Sequence, residues 1–188
     1  LLDQAPAVFF TGGDQLRLLE GLRGTRFAGS LMRRSLQGMP VGGSSAGAMA
    51  LGHPVIVRGR PEEYLTVDAI RFEPGLSLLP GIVVDTHLTE RHRIGRLIHS
   101  ICRHPDAIGI GIDENTGVLI ESGDTFEVFG PGSVTLLHSG DRVMGPESAA
   151  SMKSDTGSRL TVENIVLNIY KSGDRSQLRK VPVAIDNQ

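Results

Sequence analysis

At 188 residues, 39% of them apolar and 21% charged, the chain is long enough for one domain with a substantial core and too apolar to be disordered. A net charge of −2 gives no electrostatic case for nucleic acid or for an anionic membrane surface, and no apolar run reaches the length of a membrane span. One cysteine, Cys102, excludes an internal disulfide framework, and six histidines without HxxxH or HExxH spacing, with no CxxC, give no case for a metal.

Residues 7–10 read as a short buried strand, stopped by Thr11-Gly12-Gly13. Asp14 is placed to cap a helix whose apolar face is Leu16, Leu19, Leu22 and Leu18. Residues 31–37 read as a second helix, which delivers the chain to Met39-Pro40-Val41 and then to Gly43-Ser44-Ser45-Ala46-Gly47. The rhythm of the first fifty residues, β-α-α-β-α, is that of a parallel sheet covered by helices. Residues 55–57 read as a strand, 59–68 as a charged loop, Glu73-Pro74-Gly75 as a turn, and Ile82-Val83-Val84 as a β-branched strand ending at Asp85-Thr86-His87. Thr89 is a candidate N-cap for a helix whose apolar face is Ile94, Leu97, Ile98 and Ile101, spaced i, i+3, i+4, i+7. Arg91 points back towards the start of that helix, while Arg93 and Arg96 are expected on solvated faces. From Ala107 the period becomes two: Ile108, Ile110 and Ile112 alternate with Gly109 and Gly111, a bare face on which another backbone is expected to pack. Runs at 118–120, 126–128 and 134–136, separated by turns, form an antiparallel meander. A polar link at 145–157 leads to last strands at 160–170 and 181–185, and the whole chain reads as one domain, 1–188.

Gly43-Ser44-Ser45-Ala46-Gly47 has the form of a nucleophile elbow: strand, sharp turn with serine at its apex, helix. The glycines let strand and helix approach, and the first helical amides face an oxygen that would develop charge. A serine needs a base and a carboxylate to orient it. His87 is the best base, because it lies just past a buried strand. Glu114 is the best carboxylate, at the end of the glycine-rich strand, with Asp113 and Asp85 as rivals. Gly12-Gly13-Asp14-Gln15 reads equally as a turn with a helix cap or as a loop completing an oxyanion hole. Cys102 sits among polar residues and reads as structural.

Four segments together resemble the cyanophycinases, in the serine peptidase family S51 that also holds aspartyl dipeptidase. They are Phe10-Thr11-Gly12-Gly13-Asp14-Gln15; Gly43-Ser44-Ser45-Ala46-Gly47-Ala48; Asp85-Thr86-His87-Leu88 with Arg91, Arg93, Gly95 and Arg96; and Gly109-Ile110-Gly111-Ile112-Asp113-Glu114-Asn115-Thr116. The resemblance implies an α/β, class I glutamine-amidotransferase-like (flavodoxin-like) three-layer sandwich, its central sheet mostly parallel with C-terminal antiparallel strands. It implies a Ser45-His87-Glu114 triad, with an oxyanion hole from Ala46 and Gly12 or Gly13. It places Gln15, Asp85, Thr86, Arg91, Arg93 and Arg96 in the substrate pocket. The implied reaction is hydrolysis of cyanophycin, a polyaspartate with arginine on each β-carboxyl, to β-aspartyl-arginine dipeptides. An arginyl substrate calls for an acid, which Asp85, Asp14 or Glu63 would supply.

Thr86 and Leu88 stand where the family usually has glutamine and phenylalanine, so a relative cleaving other aspartyl or β-aspartyl peptides is the alternative, with a non-catalytic homologue behind it. An α/β-hydrolase esterase is disfavoured because that fold places its acid before its histidine. The family's further N-terminal βα portion has no match here, so the chain is expected to lack it. The expected partners are a peptide substrate and a second copy in a homodimer, without nucleic acid or membrane. No cofactor or metal is expected, and the expected location is cytoplasmic.

Overall fold

A computed structural model of the chain describes residues 2–59, 62, 65–121, 124–140, 159–160 and 162–178. The apolar run before Gly12 forms β1 (Val8–Phe10), and Asp14 caps α1 (Gln15–Leu22) by accepting from the Leu16 amide at 2.8 Å and the Arg17 amide at 3.2 Å. The second helix, α2 (Arg26–Leu36), begins five residues before the expected start at 31, because Thr25 caps it by accepting from the Ala28 amide. Next come β2 (Val41–Gly43), paired in parallel with β1, and α3 (Ala46–Leu51). β3 (Gly52–His53), β4 (Val55–Gly59), β5 (Ile70–Glu73) and β6 (Leu79–Pro80) lead to β7 (Ile82–Thr86), every residue of which is buried. α4 (Ile94–Arg103) and the fully buried β8 (Ile108–Ile112) follow. The chain then runs through β9 (Gly117–Ile120), β10 (Thr125–Phe129), β11 (Ser133–Ser139), β12 (Ile165–Lys171) and β13 (Arg175–Gln177).

The main sheet has six strands in the order β12-β11-β8-β7-β3-β6. β7 and β8 are parallel, with Thr86 opposite Ile112, whereas β8–β11, β11–β12 and β3–β7 are antiparallel. The fold is therefore α/β with a mixed sheet, less parallel than the sequence led us to expect. The cause lies in the connections. Parallel neighbours need a long crossover, which α4 supplies between β7 and β8, whereas β8 reaches its neighbour β11 through the antiparallel pair β9–β10, which returns the chain in the opposite direction. β9, β10 and β13 form a second antiparallel sheet. β13 falls in a stretch that carries no apolar alternation, and the strand expected at 181–185 lies outside the described residues.

The two faces of β7 and β8 bury different partners. On one, Val83 meets Leu97 and Ile101 of α4. On the other, Val84, Ile108 and Ile110 pack with Phe126, Val128 and Leu178. Each such side chain contributes roughly 1.5–3 kcal/mol when fully buried. The bare glycine face of β8 receives side chains, not another backbone: a Cβ on Gly109 would press on Leu97, and one on Gly111 would press on Leu88. α4 starts at Ile94, not after Thr89, and Ile94 itself is exposed.

Two features tie the ends of these strands together. Gly43 and Gly47 bring β1, β2 and α3 into backbone contact, since a Cβ on Gly47 would collide with the Phe10 carbonyl and one on Gly43 with the backbone of Gly47 and Ala48. Asp113, just past β8, accepts from the Thr89 amide at 3.1 Å and from the Ser133 amide and hydroxyl at 3.0 and 2.6 Å. Partial burial works against the Asp113 carboxylate, but the Ser133 and Thr89 hydrogen bonds outweigh it and hold its pKa below the ordinary value.

Gly47→Ala is expected to lower stability by about 1–3 kcal/mol in urea denaturation, because backbone must move to admit the methyl group. A neutral result would contradict the contact. A carboxyl that titrates lower when folded stabilises fully above roughly pH 4 and loses that contribution as pH falls through its folded value. Asp113→Asn should therefore cost stability at pH 7 and progressively less below about pH 4. An equal cost at both ends of that range would contradict the assignment.

Candidate active site

Ser45 sits between β2 and α3 with φ 52° and ψ −120°, a conformation that costs a non-glycine residue of order 1–3 kcal/mol. The Gly43 and Gly47 contacts hold it there, as does the Ser44 amide, which donates to the Phe10 carbonyl at 2.9 Å. The turn lifts the hydroxyl towards the end of β7. There His87, also at positive φ (55°), presents its ring. Ser45 Oγ lies 2.8 Å from His87 Nε2, and His87 Nδ1 lies 2.8 Å from Glu114 Oε1.

The parallel register explains the meeting. Thr86 lies opposite Ile112, so the residues that follow each strand emerge side by side. The Leu88 amide donates to the Ile112 carbonyl at 3.2 Å, and the Glu114 amide donates to Glu90 Oε1 at 3.0 Å. An ionised Glu114 can only accept, so Nδ1 carries the hydrogen, and Nε2 is left to accept from the serine hydroxyl. That is the arrangement in which a histidine can take a proton from a nucleophile. Glu114 remains half-exposed and the His87 side chain is 21% exposed, so the pair borders solvent. Of the rival acids, Asp113 is engaged by Ser133 and Thr89, and Asp85 faces away into the protein.

A Cβ built on Gly12 would lie 3.3 Å from Ser45 Cβ and 3.9 Å from Ser45 Oγ, so the Gly12 backbone runs beside the hydroxyl. Gly13 has φ 133°, a conformation that suits glycine. Ala46 opens α3, where the first amides have no partner within the helix.

The six residues expected in the pocket are scattered. Gln15 Nε2 donates to the Ile56 carbonyl at 2.7 Å. Asp85 is fully buried, and Arg96 forks onto it with Nε and Nη2 each 2.5 Å from a carboxylate oxygen. Arg93 Nη1 donates to the Thr86 carbonyl at 2.8 Å and lies 3.6 Å from Asp85. Burial, with repulsion from Arg96 and Arg91, lowers the pKa of the Arg93 guanidinium, against the pull of Asp85. The solvated faces expected for Arg93 and Arg96 are thus corrected: Arg96 is 6% exposed and Arg93 is half-buried. Arg91 is exposed. Thr86 is buried, and its hydroxyl has no hydrogen-bond partner among the described residues. Asp14 is engaged as the α1 cap, and Glu63 lies outside the described residues.

Ser45, Thr86, His87 and Glu114 line a cavity of about 1190 Å³ whose walls include Ile82, Val84, Ile110 and Ile112. Sequence reasoning missed these apolar walls, the Glu90 acceptor and the Ser133 latch. The isoleucines were read only as core, and no local pattern marks a distant hydrogen-bond partner. Burial raises the Cys102 thiol pKa, away from the reactive thiolate. Among the described residues no group of three or more His, Cys, Asp or Glu could hold a metal ion, and no helix is long and apolar enough to cross a membrane.

Relatives named cyanophycinase match most of the chain. The one from Trichormus variabilis is 37% identical over 179 residues, covering 94% of this chain and 58% of its own length. That from Thermosynechococcus vestitus is 36% identical, covering 95% and 54%, and that from Geminocystis herdmanii is 33% identical, covering 93% and 63%. The chain thus spans a little over half the length of these relatives. The solved structure of a peptidase from an acI-B1 Actinobacterium superposes with a TM-score of 0.63 at 20% identity, covering 94% of this chain and 61% of the other, a likeness of fold. The model of peptidase family S51 matches residues 1–128, and the chain belongs to that family.

Proposed function

We propose that the chain carries the hydrolytic centre of a serine-type exopeptidase that cleaves cyanophycin and releases β-aspartyl-arginine dipeptides. The observation that carries this is the continuous hydrogen-bonded chain from Ser45 through His87 to Glu114, each link 2.8 Å. Ser45 is the nucleophile. His87 takes its proton as Oγ attacks an aspartyl carbonyl, and Glu114 holds the ring and stabilises the imidazolium. The oxyanion is received by the Ala46 amide and an amide from Gly12 or Gly13, a donor of this kind being worth ~3 kcal/mol. His87 then protonates the leaving amine, and water releases the acyl group.

The substrate assignment rests on the relatives named cyanophycinase. Arg91, exposed one turn past His87, is the cation offered to a substrate carboxylate, which a guanidinium fork grips bidentately. Thr86 supports a second reading, cleavage of another aspartyl or β-aspartyl peptide. Thr86 lines the cavity beside His87, and a threonine there shapes a different pocket from the glutamine usual in the family. In the same account the fold is of the class I glutamine-amidotransferase-like type, the location is cytoplasmic, and the working form is a homodimer. The outer strand β12 exposes Leu167 and Ile169.

Incubation with purified cyanophycin should release β-aspartyl-arginine, seen by mass spectrometry, and Ser45→Ala should release none. Release of a different aspartyl dipeptide from other peptides, with cyanophycin untouched, would favour the second reading. Glu114→Gln should lower kcat by roughly 10²–10⁴-fold and Asp113→Asn far less; the reverse order would remove Glu114 from its role. Arg91→Ala should raise KM for the polymer about tenfold, the worth of one charged hydrogen bond, and an unchanged KM would exclude that contact.

A further inference from the structure

Both backbone polar groups of Thr86, the residue that delivers the chain to His87, are held by charged side chains, one buried and one half-buried. Its amide donates to Asp85 Oδ1 at 2.8 Å, and its carbonyl accepts from Arg93 Nη1 at 2.8 Å. Asp85 is itself fixed by the two 2.5 Å bonds from Arg96, and neither group can relax into water, since Asp85 is 0% and Arg96 6% exposed. The next residue, His87, turns through φ 55°, which a non-glycine residue holds only when its surroundings impose it. Among the described residues Asp85, Arg93 and Arg96 do not line the cavity that contains Ser45 and His87. A buried ion pair adds little net stability, because desolvation offsets most of the attraction, so stability alone is a poor account of this one.

We propose that Asp85, Arg96 and Arg93 are positioning residues: a charged clamp on the Thr86 backbone that sets His87 in line with Ser45. The inference rests on the hydrolytic role of Ser45 and His87 given above, and it assigns the Arg93 and Arg96 guanidinium groups to the protein backbone and Asp85 instead of to substrate. The two assignments separate on a reagent that has nothing for an arginine subsite to hold.

The probe is diisopropyl fluorophosphate, small and uncharged. Ser45 Oγ forms the bond to phosphorus, fluoride leaves, and the serine proton passes to His87. Intact mass gives the labelling rate. Arg93→Met should slow labelling by about 30-fold or more, and should lower kcat for an aspartyl peptide with KM within about twofold. Arg93→Lys, which can still donate to the Thr86 carbonyl, should recover part of the loss. Wild-type labelling of Arg93→Met, with its defect confined to KM, would overturn the clamp while leaving the serine mechanism intact. If Arg93→Met does not fold by circular dichroism, Arg93→Gln is measured against the same criterion. A wild-type chain that is not labelled, or is labelled equally in Ser45→Ala, would overturn the mechanism and the clamp together.

Discussion

The parallel pairing of β7 with β8 is the constraint on which the site depends. Five residues of each strand are buried, and their register sets Thr86 against Ile112. A slip of one residue would turn every side chain to the opposite face, exchanging Val83, which meets α4, with Val84, which meets the second sheet. The cores on the two faces therefore lock the register, and the register brings His87 and Glu114 out of the sheet together. The position of His87 is thus a consequence of packing well away from it.

The serine arrives by a separate route. β1, β2 and α3 meet with no room for side chains at Gly43 and Gly47, and this close contact holds Ser45 in a costly conformation. The cost is small beside the apolar burial of Phe10, Leu31, Met39 and Leu51 in the same region, where each large side chain contributes roughly 1.5–3 kcal/mol. Two rigid supports, one on each side of the cavity, thus aim a hydroxyl and an imidazole at each other. The polar contacts around His87 engage its neighbours: Leu88 with Ile112, Thr89 with Asp113, Glu90 with Glu114. The ring itself is left to the serine and the glutamate.

Much of this was legible in the chain. The glycines around Ser45 report a turn that only small residues permit, and a histidine and an acid that end β-branched strands are drawn to the same edge of a sheet. Glu114 was preferred in the sequence with Asp113 kept as a rival, because adjacent acids differ only in the direction they face, and the partner that engages Asp113, Ser133, lies twenty residues away. Arg96 was misjudged for a related reason. It lies off the apolar face of α4, a position that is usually wet, yet here β7 covers it with a carboxylate. β13 was missed because Arg175-Ser176-Gln177 gains its strand character only from pairing with β10. The antiparallel run after β8 was read from its closely spaced turns, but the antiparallel pairing of β3 with β7 was not, because Gly52-His53 carries no strand pattern of its own.

The central claim is that Ser45 and His87 act as one chemical unit. The most direct test is the rate of β-aspartyl-arginine release by Ser45→Ala, by His87→Ala and by the double variant. Members of one unit are lost together, so the double variant should be no slower than the slower single variant, within about twofold. If the two losses instead multiply, the hydroxyl and the imidazole contribute independently, and the mechanism drawn from their contact is wrong.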